Sequence, residues 1–165
     1  MDKLRLDAYF ADSVAELFAA LATTLAFRRW ASSAAARNDG VPACGQTYRF
    51  RTGSVTRSGR VVEVIRPVAI SYQERLDDPP CRVGLHCRWR IEPLDDGCAV
   101  QLVARYRLNR AASLRPRHWR RRLERHFGNQ FAALARALDR AAAAGQPIAP
   151  RQPALRAAGP PRNSR

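Results

Sequence analysis

Apolar and polar residues alternate with period two from Gly45 to Leu108, and the pattern then changes to apolar residues at three- and four-residue steps from Ser113 to Ala144. The first rhythm predicts a run of half-buried strands, the second one long amphipathic helix. Residues 3 to 10 also alternate, with Leu4, Leu6, Ala8 and Phe10 on one side and Lys3, Arg5, Asp7 and Tyr9 on the other, a first strand. Ser13-Val14-Ala15-Glu16 fits a capping box, in which serine and glutamate satisfy orphan amides at a helix start. Val14, Leu17, Phe18, Leu21 and Leu25 continue it at helical spacing, and Thr23-Thr24 reads as a restart into a second short helix carrying Phe27 and Trp30 inward. Residues 32 to 44 read as loop.

In the long run, Gly45 to Thr52 puts Tyr48 and Phe50 on one face and Arg49 and Arg51 on the other, and Gly53-Ser54 and Ser58-Gly59 read as turns or bulges. Strands follow at Arg60 to Ile65 and Val68 to Leu76, joined at Arg66-Pro67, with the side of Glu63 undecided. On the second of these, Val68, Ile70, Tyr72 and Glu74 share a face, so a carboxylate points with an apolar set. The next hairpin turns at Asp95-Asp96-Gly97, a strong hairpin signal. Its register pairs Trp89 with Ala104 or Leu102 and gathers Val83, Leu85, Cys87, Trp89 and Ile91 with Val100, Leu102, Ala104, Tyr106 and Leu108 on one face. The other face is rich in arginine. The final helix carries a stripe of Trp119, Leu123, Phe127, Phe131, Leu134 and Leu138; Gly128 within it either lets the helix bend or packs closely. A curved antiparallel sheet gripping this helix, a single α+β domain over residues 1–144, is the expected architecture. Residues 145–165, with repeated Pro, Ala and Arg, are too poor in apolar side chains to offset ordering entropy and are expected to be a disordered tail.

Composition changes this picture little. The 165 residues carry a net charge of +15, and 28 of the 29 basic residues are arginine beside 29 alanines, as a GC-rich coding bias also produces. The distribution is more informative: Arg115, Arg117, Arg120, Arg121, Arg122 and Arg125 crowd the start of the last helix against Glu124, a basic surface that suits an acidic partner or nucleic acid. No stretch reaches the ~18 apolar residues a membrane helix needs. The apolar segment from Val14 to Phe27 follows a leader holding Asp2, Asp7 and Asp12, unlike a secretory signal, so a cytoplasmic location is expected. Cys44, Cys81, Cys87 and Cys98 lack metal-finger spacing and are expected as reduced thiols, Cys87 and Cys98 lying toward opposite ends of the hairpin. His86, His118 and His126 have no cysteine or carboxylate at ligand spacing and read as surface histidines; no metal or cofactor is expected. No hydrolase, dinucleotide, zinc-protease or phosphate-loop motif is present.

The order strand, two short helices, long antiparallel run and long helix resembles the START-like or SRPBCC superfamily, the helix-grip proteins that include polyketide cyclases and lipid-transfer domains. The likeness rests on Leu4 to Phe10, Ala11 to Phe18, Phe27-Arg28-Arg29-Trp30, Val61 to Pro67 and Leu114 to Leu138. It implies a sheet of six or seven strands wrapped around the last helix, with an apolar cavity between them. Walls of that cavity would be Trp30, Tyr48, Phe50, Ile70, Tyr72, Glu74, Leu85, Cys87, Trp89, Leu102, Tyr106, Leu123, Phe127, Gln130 and Phe131. The expected function is binding or carriage of a small hydrophobic molecule. One alternative is a cofactor-free cyclase, dehydratase or hydrolase in which a desolvated Glu74 acts as base; its counter-reading places Glu74 at the rim, solvated or paired with an arginine. The other is a module gripping an acidic partner through its arginines.

Overall fold

The computed structural model describes residues 1–25, 42–145 and 155–156. The chain opens with strand β1 (Asp2–Phe10) and helix α1 (Val14–Thr24), then runs through β2 (Thr47–Thr52), β3 (Val55–Ile65), β4 (Ala69–Asp78), β5 (Cys81–Leu94) and β6 (Gly97–Leu108). A single short turn of helix, α2 (Arg110–Ser113), leads into α3 (Pro116–Gly145), and a two-residue strand, β7 (Leu155–Arg156), ends the described chain. The sheet order is β2-β3-β4-β5-β6-β1-β7, antiparallel throughout. This is the α+β helix-grip architecture expected from the sequence. Among the described residues no helix is long and apolar enough to cross a membrane.

Local chemistry accounts for most element ends. The capping box forms: Glu16 Oε2 accepts from the Ser13 amide at 3.1 Å and from its hydroxyl at 2.7 Å, and these bonds hold the Glu16 carboxyl below its ordinary pKa. The β5–β6 hairpin closes with Leu94 opposite Gly97, which sets Trp89 against Leu102 and gathers Val83, Leu85, Cys87, Trp89 and Ile91 with Val100, Leu102, Ala104 and Tyr106 on one face. Asn109 caps α2 by accepting from Ala112 N at 3.0 Å, and also accepts from Arg82 N at 3.0 Å, fastening the helix to the start of β5. That face, together with α1 and the stripe of α3, forms the core, in which Trp89, Phe127, Phe131, Ile70, Leu102 and Leu123 are fully buried. Each such side chain contributes on the order of 1.5–3 kcal/mol through removal from water.

Several expectations are corrected. β3 begins at Val55 rather than Arg60, so Ser58-Gly59 lies within a strand; only Gly53, at φ 60°, makes the turn before it. The helix expected from Ser113 to Ala144 starts at Pro116 instead, because proline can start a helix but not continue one through its missing N–H, and Ser113 ends the short α2 before it. Leu114 between them is 81% exposed. α1 runs through Thr24 without a restart at Thr23, and the second short helix with Phe27 and Trp30 lies outside the described residues. A bulge at Val61/Glu63 turns Glu63 to the outward face, where it pairs with Ser71 and sits 3.8 Å from Arg88. Residues 155–156 of the expected tail pair with Asp7 and Ala8.

Candidate functional site

Three strands and α3 bring charged groups together inside this apolar core. Tyr48, Gly59 and Glu74 are direct cross-strand partners on β2, β3 and β4, so all three face inward. Gly59 is required there. A Cβ at this position would fall 2.4 Å from the Tyr48 ring and from the Gln73 carbonyl oxygen. With only hydrogen present, the Tyr48 ring lies across the backbone of β3 and its hydroxyl donates to Glu74 Oε2 at 2.5 Å.

Arg57, two residues before Gly59, also faces inward, opposite Phe50 and Leu76. Its Nε donates to Glu74 Oε1 at 2.7 Å, and its Nη2 closes a second contact on the same oxygen. The guanidinium lies 5.6 Å from the centre of the Phe50 ring, a cation–π geometry. From the helix side, His126 Nε2 sits 2.9 Å from Arg57 Nη2. A guanidinium only donates, so this imidazole nitrogen accepts and the ring is neutral. Burial, then the charges of Arg57 and Arg122, push the His126 pKa down to about 3. Burial followed by the nearby Glu74 carboxylate raises the Tyr48 hydroxyl far above its ordinary pKa, and burial raises Tyr72 and Cys87 likewise.

Two more polar atoms lie in the same interior. Trp89 Nε1 and Gln130 Oε1 are buried and make no hydrogen bond of normal geometry, although the Trp89 indole lies within polar reach of the Tyr72 hydroxyl. His126 and Gln130 are one turn apart, on the flank of α3 beside Phe127 and Phe131. The Trp89 and Phe131 rings touch at 4.9 Å. A neutral imidazole and an amide oxygen on one flank of α3, and an indole N–H on β5, are thus the polar atoms of an otherwise apolar interior. Among the described residues no group of three or more His, Cys, Asp or Glu side chains is placed to hold a metal ion.

Most of the residues expected to line a cavity come together in the core. Tyr48, Ile70, Tyr72, Leu85, Cys87, Trp89, Leu102, Tyr106, Leu123, Phe127 and Phe131 belong to one core cluster, with half-buried Phe50 packed against it. Gln130 is half-buried beside them, and Trp30 lies outside the described residues. Glu74 is 6% exposed, so it is not at the rim, yet it is paired with an arginine. The six arginines of the basic surface are all exposed. They meet more opposition than Glu124 alone: Arg120 pairs with Glu124 at 3.0 Å, while Arg122 reaches Asp78 on β4 at 2.7 Å and stacks over Trp119. His118 is exposed and His86 half-buried on the outward face, but His126, expected at the surface, is turned inward by its place three residues after Leu123. The cysteines are free thiols, and Cys87 and Cys98 face different partners, Ala104 and Pro93. Arg57 and His126 are the site residues that sequence reasoning missed. Their signals were a flank position on the apolar stripe for His126 and, for Arg57, an even spacing from Gly59 and Val61.

Comparison with known proteins places this geometry in a family. A protein from Rhizobium leguminosarum has the same fold at TM-score 0.61 and 16% identity, covering 84% of this chain and 95% of its own. A protein from Rhizobium loti matches at TM-score 0.59 and 17% identity over 82% of this chain and 96% of its own. DynU16, from the dynemicin biosynthetic locus, matches at TM-score 0.59 and 14% identity over 84% of this chain and 48% of its own. No curated protein matches the chain. The model of the family described as Activator of Hsp90 ATPase homolog 1-like protein matches residues 12–139, from the start of α1 almost to the end of α3. The chain therefore belongs to that family, on a START-like or SRPBCC helix-grip fold.

Proposed function

We propose that this protein binds a small hydrophobic molecule between the concave face of the sheet and α3, with the polar end of the molecule at His126, Gln130 and Trp89. The observation that carries the reading is the Glu74–Arg57–His126 cluster, with the unpaired Gln130 amide oxygen one helical turn from His126, set in an otherwise apolar interior. Burying an ion pair costs several kcal/mol of desolvation per ion, and a buried unsatisfied polar atom costs about 1–3 kcal/mol. Apolar side chains of the same size would stabilise the fold better, so a cluster of this kind supports a ligand-facing role. Holding is favoured over turnover because both oxygens of the one buried carboxylate are engaged, by Arg57 and by Tyr48. Membership of an SRPBCC family, one suggestive of ligand binding or cyclase-like function, supports the same reading.

The test is two-dimensional amide NMR of the protein titrated with medium-chain aliphatic and bicyclic aromatic alcohols and ketones. A binder is expected to shift the Trp89 indole and Gln130 side-chain amide signals while leaving the Trp119 indole in place. If the panel moves only surface signals, or none, the interior is not the binding site.

A further inference from the structure

The outward face of the sheet carries the opposite chemistry to that interior. Lys3 stands opposite Arg105, Arg105 opposite His86, and Arg88 opposite Val103, all pointing away from α3. Two depressions, of about 570 and 740 Å³, share His86 in their walls and adjoin as one trough; the first lies on this face, and the second combines outward residues such as Arg60 and Arg107 with Tyr48, Gly59, Glu74 and Leu85 of the same strands. Its cations include Lys3, Arg60, Arg88, Arg90, Arg105 and Arg107. The acids do not balance them. Arg88 and Arg90 reach carboxylates only at 3.8 Å, and Lys3, Arg60, Arg105 and Arg107 form no ion pair among the described residues. With strands about 4.8 Å apart and same-face residues about 6.7 Å apart along a strand, such cations recur every 5–7 Å or so. That spacing suits a chain of negative charges better than one anion.

We propose that this trough is a binding site for the phosphate backbone of double-stranded nucleic acid, read without regard to sequence. The walls hold no Trp or Phe, and their one tyrosine, Tyr48, is buried with its hydroxyl on Glu74, so they offer no aromatic platform for the unpaired bases that single-strand binding relies on. Arginine and lysine at backbone spacing position a duplex through its phosphates alone. A lipid surface fits less well, because a single one of the exposed large apolar side chains Met1, Ile65, Leu94 and Leu114, namely Met1, lines the trough.

The experiment is fluorescence anisotropy of a short labelled DNA duplex of arbitrary sequence with the full chain, across a salt series, beside vesicles containing phosphatidylserine. Binding to the duplex is expected with a log–log salt slope of about −4, the value for four or five phosphate contacts. The triple variant Arg60→Glu/Arg105→Glu/Arg107→Glu is expected to weaken it by about 30-fold or more. The control Arg115→Glu/Arg117→Glu/Arg121→Glu, with the same change in net charge on α3, should remain within about threefold of the parent. The milder Arg60→Gln/Arg105→Gln/Arg107→Gln variant, expected to lose about tenfold, guards against a folding defect in the reversal. Equal losses in trough and control variants, no duplex binding at low salt, or binding to vesicles without binding to the duplex would each overturn the proposal.

Discussion

Arg57 is the residue on which the interior depends, because each of its neighbours solves a problem that the guanidinium creates. Glu74 supplies the counter-charge, Phe50 a ring face, and His126 a neutral acceptor. Tyr48 in turn reaches Glu74 only because Gly59 has no side chain. Glu74→Gln keeps the shape and an acceptor for Tyr48 but leaves Arg57 as a buried charge without a partner. It is expected to destabilise the fold by about 2–4 kcal/mol in denaturant unfolding, and Arg57→Met in the same background should recover part of that loss. Additive losses in the double variant would show that the two side chains are not coupled.

At the scale of elements, the sheet and α3 meet through the Arg57–His126 contact as well as through the apolar stripe. This makes the junction sensitive to acid. The folded pKa of His126 lies near 3, below the roughly 6.5 of an unfolded histidine, so the unfolded state binds the extra proton first. The contribution of the neutral ring is fully present above pH ~6.5 and is lost as the pH falls from there toward 3. His126→Gln is expected to flatten that part of the stability–pH curve by about 2 kcal/mol, measured by urea unfolding between pH 7 and pH 4; an unchanged slope would place the titrating group elsewhere. The same junction shows where sequence reading reached its end. Alternation in Val83 to Ile91, the capping box at Ser13 and Glu16 and the stripe from Trp119 to Leu138 are local patterns, and they led to the correct elements. β3 was half missed because Arg57 and Gly59 occupy inward positions with residues that look like surface and turn. What makes them inward is register with β2 and β4, partners separated from them by up to about twenty residues. His126 was missed for a similar reason: the helix pattern places it beside the stripe, but only the arrival of Arg57 from the sheet makes it an interior group.

For the whole molecule, two faces of one sheet carry two kinds of chemistry. The concave face, closed by α3, is apolar around a small polar cluster, while the outward face is a basic trough. The family match and the fold were foreshadowed by the order of elements, whereas the site was legible only as far as single strands placed it: Glu74 with the apolar set, but not the partners that hold it there. The central claim is that the concave side is occupied by a small apolar molecule. Native and denaturing mass spectrometry of the purified protein, with organic extraction of the same sample, addresses it most directly. A stoichiometric apolar molecule bound to the native protein and absent after denaturation is the expected result. A protein that flies at its bare mass, and takes up no apolar compound from a cell extract, would contradict it.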